Sequence, residues 1–170
     1  MTARASLPHL LVRNGTLIAG TLHARCATGR GGISSHKREG DGATPRGTFR
    51  LLAALYRPDR LPRPITSLPL TAIDPGAGWC DDPADRNYNR AVRLPYKAHH
   101  ENLWRKDRLY DVVVVLDYNI DPVTPGAGSA IFLHLGHEDF APTSGCIVVS
   151  LETMHRLLPH LSRETMVEVR

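Results

Sequence analysis

Cysteine is scarce in this chain, with three residues, Cys26, Cys80 and Cys146, among 170. An odd number excludes a fully paired disulfide framework, and a chain of this length does not need one to stabilise its core. At most one disulfide can form, and Cys26 with Cys80 is the only pair that would leave Cys146 free. A role for Cys146 as a free thiol therefore stays open.

Long apolar runs are also missing. No stretch approaches the roughly 18 apolar residues that a membrane-spanning helix requires, so we expect no transmembrane segment. Within residues 1–20, the apolar stretch is interrupted by His9, Arg13 and Asn14. This pattern lacks the continuous apolar region of a secretory signal peptide, and we predict none in this sequence.

Charge of one sign is not concentrated anywhere. The chain has 21 Lys and Arg against 17 Asp and Glu, a net charge of +4, and the basic residues are scattered. We therefore expect no nucleic-acid partner, whereas an acidic polymer remains compatible as substrate. With 42% hydrophobic and 22% charged residues the composition is typical of a globular protein. The length predicts one domain, 1–170, and we expect a monomer.

Short extended segments dominate what is present. Asn14-Gly15 separates two apolar segments and tolerates the positive φ of a two-residue turn, which predicts a β-hairpin. The Gly-rich stretch 29–47 indicates a long surface loop. Further strands are predicted by TFRLLAALY, YDVVVVLDY, AIFLHL and CIVV. The Pro-rich stretch 57–100 indicates few regular elements, and HENLWRKD predicts a short helical turn.

One helix is predicted near the end of the chain. Ser150 can cap the segment LETMHRLLPHL, and Glu152 lies in its first turn. Its apolar face would be formed by Leu151, Met154, Leu157, Leu158 and Leu161. The segment TMVEV predicts a last strand. Without βαβ alternation or internal repeats, the predicted fold class is mainly β with one or two peripheral helices.

The segment IFLHLGHEDFAPTSGCIVVS, residues 131–150, places His134 at the end of an apolar strand, twelve positions before Cys146. Gly145 allows a sharp turn whose amides can form an oxyanion hole. A histidine can take a thiol proton near neutrality, so the two residues can form a catalytic dyad. Three alternatives stay open: a buried inert thiol, a core histidine, and a zinc site that includes His137.

Three ordered motifs resemble one known family. KREGDGATPRGTF contains a T-P-x-G-x-F-like element, GWCDDPADRNYNR follows it, and IFLHL…PTSGC carries the strand histidine and the cysteine turn. Together they resemble the L,D-transpeptidase catalytic domain, also called YkuD-like, in a bacterial subgroup with a Thr-Ser-Gly-Cys turn. The resemblance covers residues 10–170 and implies a single β-sandwich or barrel domain.

The resemblance implies a cysteine-dependent L,D-transpeptidase that acts on peptidoglycan stem peptides through a thioester. Cys146 would be the nucleophile, His134 the base, and Gly145 with Cys146 the oxyanion donors. A backbone carbonyl near Leu135 or Gly136 would orient the imidazole. No metal or organic cofactor is expected. Predicted substrate contacts are Lys37, Arg38, Trp79, Asp81, Asp82, Tyr88, Asn89, Arg90, Tyr118, Asn119 and Ser144.

Two departures from the family pattern leave other functions open. Ser144 stands where the family usually has a histidine, and Val148 stands where it usually has arginine or asparagine. The alternatives are a carboxypeptidase or amidase that uses water as acceptor, and a wall-binding protein that has lost catalysis. In each case the resemblance implies a location in the periplasm or cell envelope.

Overall fold

The computed structural model describes residues 6–170, so the predictions for residues 1–5 lie outside the described residues. The strands are β1 (His9–Arg13), β2 (Thr16–Ala19), β3 (Leu22–Arg25), β4 (Ile33–Ser34), β5 (Thr44–Pro45), β6 (Gly47–Tyr56), β7 (Leu70–Ala72), β8 (Ala77–Cys80), β9 (Arg90–Arg93), β10 (His100–Asn102), β11 (Val112–Leu116), β12 (Phe132–Leu135), β13 (Ile147–Val149) and β14 (Met166–Val169). Helix α1 (Leu151–Leu157) continues into a 3₁₀ turn, Leu158–His160. The predicted mainly β fold class is confirmed.

The main sheet has the order β13-β12-β11-β6-β14-β1-β2-β3, with β7 paired to the far half of β6. The ten-residue strand β6 connects its two halves, because residues 47–50 pair with β14 and residues 51–56 with β11. The sheet therefore curves towards a barrel. The predicted hairpin is confirmed: β1 pairs antiparallel with β2, and Asn14 and Gly15 have φ of 49° and 71°.

The helix begins as the sequence predicts. Ser150 Oγ accepts a hydrogen bond from Thr153 N at 3.1 Å, which caps the first turn. Two parts of the prediction were wrong. Leu151 is 38% exposed, because the first helical residue points away from the sheet, and regular helix ends at Leu157, since Pro159 cannot donate to the next turn. The remaining predicted core residues, Met154, Leu157, Leu158 and Leu161, are buried.

The strands β11, β12 and β13 have two different buried faces. One face contributes Val112, Val114, Leu133 and Ile147 to the main hydrophobic core, which α1 covers. The other contributes Val113, Val115, Phe132 and Cys146 to a second cluster. Because both faces are buried, these strands are continuous apolar runs, as expected for interior strands.

A second sheet, β10-β8-β9, covers the side of the main sheet that carries Cys146. Its strands lie within residues 77–102, mostly in the stretch 57–100 where few regular elements were predicted. Its strands escape a pattern search because Gly78, Trp79 and Cys80 are buried consecutively, without alternation. The predicted helical turn at HENLWRKD was wrong: Glu101 pairs with Trp79 across an antiparallel ladder, so long-range pairing overrides local preference.

Candidate active site

The sheet brings Cys146 and His134 to the same face. Strands β12 and β13 are parallel, with Leu133 opposite Ile147 and His134 opposite Val148. Successive side chains along a strand point to opposite faces. Cys146, immediately before Ile147, and His134, immediately after Leu133, therefore both face away from the main core.

Both side chains line a cavity of about 560 Å³ between the main sheet and the smaller one. The cavity also receives side chains from the Gly-rich loop, from β10 and from the segment before β11. Charged and aromatic groups among its lining are Arg30, Lys37, Glu39, Glu101, Arg105 and Tyr110. The cavity thus combines a thiol, an imidazole and charges of both signs.

Cys146 is a buried thiol, 8% exposed, whose Sγ donates to the carbonyl oxygen of Ala130 at 3.1 Å. Burial raises the pKa of Cys146 to about 12, and the nearby carboxylate of Glu101 acts in the same direction. The backbone of Phe132 opposes this shift. In the resting structure the sulfur is therefore a neutral thiol at neutral pH.

His134 has a defined orientation. Its Nδ1 lies 2.8 Å from the carbonyl oxygen of Leu135, which is the predicted backbone contact and is confirmed. A carbonyl only accepts, so Nδ1 carries the proton and Nε2 is left as the basic nitrogen. The ring packs edge-on against Tyr110, with centroids 4.8 Å apart. Burial lowers the pKa of His134 to about 4, so the ring is neutral at rest.

The turn before Cys146 requires glycine. Gly145 has φ of 140°, and a Cβ there would approach the carbonyl oxygen of Ala43 to 2.9 Å. Its amide donates to Thr143 Oγ1 at 3.1 Å, and the same hydroxyl donates to the carbonyl oxygen of Cys146 at 2.6 Å. The side chain of Thr143 therefore stabilises the turn through the backbone of both Gly145 and Cys146.

Thr44 connects this turn to the Gly-rich loop. Its hydroxyl is fully buried, accepts from Gly29 N at 2.8 Å and donates to the carbonyl oxygen of Gly145 at 2.8 Å. Thr44 is the threonine that precedes the proline in the DGATPRGTF motif. The structure thus gives that motif a physical role, because it fixes the backbone next to Cys146.

Two predicted substrate-binding residues, Lys37 and Ser144, line the cavity. Lys37 Nζ donates to Asp41 Oδ1 at 2.5 Å and to the carbonyl oxygen of Arg38 at 2.7 Å. Ser144 Oγ accepts from Arg30 Nη1 at 2.9 Å. Asp81 also lines the cavity and pairs with His99 at its exposed edge.

Trp79 and Asn89 lie in a buried network behind the cavity lining. Trp79 packs edge-on against Phe132, with centroids 5.2 Å apart, and its Nε1 donates to Asn89 Oδ1 at 2.9 Å. The same oxygen accepts from Ala130 N at 3.0 Å, and the carbonyl of Ala130 accepts from Cys146 Sγ. Asn89 therefore positions the backbone that contacts the thiol.

Tyr88 is buried as well and holds a carboxylate of the cavity. Its hydroxyl donates to Glu39 Oε2 at 2.5 Å and accepts from Gly128 N at 3.0 Å. Ser129 Oγ donates to the same Glu39 oxygen at 2.6 Å. The remaining predicted residues make loop contacts: Arg38 N with Asp41, Asp82 with Ala84 N, Arg90 with Asn89, Tyr118 with Ala127, and Asn119 with Gly128.

Sequence reasoning missed Glu101, Tyr110, Arg30 and Arg105. They come from an unrecognised strand, from the segment before β11 and from a Gly-rich loop, so no local motif joins them. Within residues 6–170 no three His, Cys, Asp or Glu side chains are grouped to hold a metal ion. In the same range, no helix has the length and apolar character to cross a membrane.

A mainly β domain whose cavity contains a thiol and an oriented imidazole has the groups needed for acyl transfer through sulfur. A sequence model of the L,D-transpeptidase catalytic domain, YkuD, matches residues 4–169. The chain therefore belongs to this family, as its motifs predicted. No curated protein gave a significant match. Family membership makes peptidoglycan the expected substrate class and the cell envelope the expected location.

Proposed function

We propose that the chain is a cysteine-dependent L,D-transpeptidase acting on peptidoglycan stem peptides. The observation that carries the proposal is the shared cavity, in which Cys146 and His134 face the same space. Cys146 attacks the carbonyl at the L-centre of a tetrapeptide stem and expels the terminal D-alanine, leaving a thioester. The amine of an acceptor then attacks the thioester and releases the thiol.

His134 moves the protons in both half-reactions. Since thiol and imidazole are neutral at rest, Nε2 takes the thiol proton as the sulfur attacks and passes it to the nitrogen of the departing D-alanine. In the second half it takes a proton from the acceptor amine and returns it to the sulfur. The carbonyl of Leu135 keeps the ring in the required tautomer throughout.

The amides of Gly145 and Cys146 would receive the negative charge of the tetrahedral intermediate. The Gly145 amide is bound to Thr143 Oγ1 in the resting structure, so the developing oxyanion has to displace that hydroxyl. Such an exchange replaces a hydrogen bond to a neutral oxygen by a stronger one to a charged oxygen. Lys37 and Ser144, both at the cavity surface, are the proposed direct substrate contacts.

In this proposal the other predicted contact residues act indirectly, by supporting the backbone that lines the cavity. Asn89, for example, accepts a hydrogen bond from Ala130 N. The chain, 1–170, works as one catalytic unit and as a monomer in the periplasm or cell envelope. Cys146 supplies the nucleophile and His134 the base, so the proposed acyl transfer uses no metal or organic cofactor.

The test is incubation with muropeptides that contain tetrapeptide stems, with products identified by mass spectrometry. We expect the mass of the protein to increase by the mass of the stem less one D-alanine. We also expect muropeptide dimers formed with loss of D-alanine. Cys146→Ala and His134→Ala should each abolish the adduct, whereas Cys26→Ala, a thiol buried in the main core, should not.

Three outcomes would contradict parts of the proposal. Trimmed monomers without dimers would assign the hydrolase alternative, because water would then be the acceptor. Absence of any adduct from the folded wild-type protein would assign the wall-binding alternative suggested by Ser144 and Val148. Unfolding of both active-site variants would make Cys146 and His134 core residues instead, and circular dichroism of each variant distinguishes this case.

A further inference from the structure

A second cavity lies between the tip of the β2–β3 hairpin and the end of α1. It has a volume of about 670 Å³, and we call it the helix-end groove, lined by parts of residues 6–7, 19–22 and 155–160. It shares no lining residue with the cavity of Cys146. Leu22, in its wall, packs against the main core, whereas Cys146 belongs to the second cluster. The two cavities are therefore separate sites.

The ionisable side chains that line the helix-end groove are all basic: His155, Arg156 and His160. No described aspartate or glutamate contributes to its surface. His155 and Arg156 form no side-chain hydrogen bond or ion pair with any residue in the range 6–170. Residues 1–5, MTARA, contain no carboxylate side chain that could neutralise the groove. Because a guanidinium is always protonated, the groove carries positive charge and unused donors.

Helix geometry alone does not account for this arrangement. His155 and Arg156 lie in the last turn of α1, where cations interact favourably with the helix dipole. That interaction favours basic residues at the helix end, but it does not require a concave surface around them. Glu152, four residues before Arg156, is placed to pair with it along the helix. The two form no ion pair within the described chain, and Arg156 lines the groove instead.

The rest of the groove surface is apolar or carries hydroxyl groups. Leu7, Leu22 and Pro159 are half-buried and line it with hydrocarbon. Thr21, at the hairpin tip, is exposed, and its hydroxyl has no partner among the residues that the structure describes. An apolar surface with a few polar groups is typical of small-ligand sites. A sugar ring suits such a surface, since it presents C–H groups on its faces and hydroxyls at its edge.

We propose that the helix-end groove binds a phosphorylated sugar unit of an anionic glycan. The phosphate pairs with Arg156 and His155, and the sugar ring packs on Leu22 and Pro159. A phosphate has enough terminal oxygens to accept from the guanidinium fork and the imidazole together. The concave shape suits one sugar phosphate better than a flat lipid surface. The site goes beyond the proposed acyl transfer, because it would hold the protein on a polymer of the envelope while the other cavity reacts.

The test is binding of glucose-1-phosphate to the 1–170 protein at low ionic strength, measured by calorimetry and by amide chemical shifts. We expect the amides of residues 20–22 and 155–160 to shift, and those of residues 143–147 to stay unchanged. Methyl glucoside, which lacks the phosphate, should not bind. Inorganic phosphate should bind at least about threefold more weakly, since it gains no contact with the apolar wall.

Variants assign the phosphate to its partners. Arg156→Gln and His155→Ala should each weaken binding of glucose-1-phosphate, the first by about fivefold or more, as for a partly exposed ion pair. Both residues are exposed, so neither change disturbs the core. The matched control Arg163→Gln removes an exposed arginine outside the groove lining and should bind like wild type. Arg30→Gln, in the cavity of Cys146, should also bind like wild type.

Binding that survives in either Arg156→Gln or His155→Ala would overturn the site, as would shifts confined to residues 143–147. Inorganic phosphate that binds as tightly as glucose-1-phosphate would remove the sugar from the proposal. Vesicles of phosphatidylcholine and phosphatidylglycerol provide a further comparison. If they retain the wild-type protein but not Arg156→Gln, while glucose-1-phosphate does not bind, the groove is a lipid site and the proposal is wrong. None of these measurements requires thioester formation, so failure of the proposed activity leaves them unaffected.

Discussion

Replacement of Thr44 by valine gives a sharp test of how the nucleophile turn is held. Valine has nearly the same shape, so the change opens no cavity and removes only the hydroxyl. That hydroxyl satisfies two buried backbone groups, the amide of Gly29 and the carbonyl of Gly145, both at 2.8 Å. Leaving a buried polar group unpaired costs about 1–3 kcal/mol, so the two together predict a loss of about 2–6 kcal/mol.

The assay is urea unfolding of the wild-type, Thr44→Val and Thr44→Ser proteins, with thioester formation measured on the same samples. We expect the serine variant to stay close to wild type, because it keeps the hydroxyl. The valine variant should be less stable and should acylate more slowly, since the carbonyl next to Cys146 has lost its donor. If Thr44→Val matches the wild type in both measurements, Thr44 does not hold the turn.

Three other predictions concern the same region. Burial lowers the pKa of His134 to about 4 in the folded protein, whereas in the unfolded chain it is about 6.5. As the pH falls below about 6.5, the unfolded chain therefore binds a proton that the folded protein does not. Unfolding free energy should thus fall between pH 6.5 and 5 by about 2 kcal/mol more in wild type than in His134→Gln, measured with urea. Asn89→Ala, which removes four hydrogen bonds, should cost about 2–4 kcal/mol and slow acylation. Iodoacetamide at pH 8 should alkylate Cys146 of the folded protein more slowly than it alkylates an unfolded thiol. Alkylation should be faster in Glu101→Gln than in wild type, because the carboxylate of Glu101 helps to raise the pKa of Cys146. Equal rates in all three would show that Glu101 has no such effect.

Local chemistry allowed part of the fold to be predicted. Asn14-Gly15 forms its hairpin because two consecutive residues there must have positive φ, which few pairs tolerate. Ser150 caps its helix through its own side chain, and Val112–Leu116 is apolar because both faces are buried. In each case the cause lies within a few residues of the element, so the sequence alone is sufficient.

Distant pairing accounts for what was missed. Glu101 is in a strand only because Trp79 lies opposite it, and neither segment has an alternating pattern. Asn89 and Trp79 were predicted to contact substrate because polar and aromatic residues crowd a loop-like stretch. Their side chains instead bond to each other, because Asn89 adopts φ of 56° and lies inside the protein. Cys146 and His134 were predicted to form a dyad, and both line the same cavity, since the parallel register of β12 and β13 directs both side chains to one face of the sheet.

The position of β14 has a consequence for how the chain is made. This strand pairs with β6 on one side and with β1 on the other, near the middle of the main sheet. Until residues 166–169 have been synthesised, the hairpin of β1–β3 has no strand that joins it to the rest of the sheet, and two strand edges stay exposed. Exposed edges recruit other chains, so a nascent or truncated chain is at risk of aggregation. A peptide with the sequence of β14, supplied in trans during translation, should therefore complete the sheet of a chain that stops before Met166.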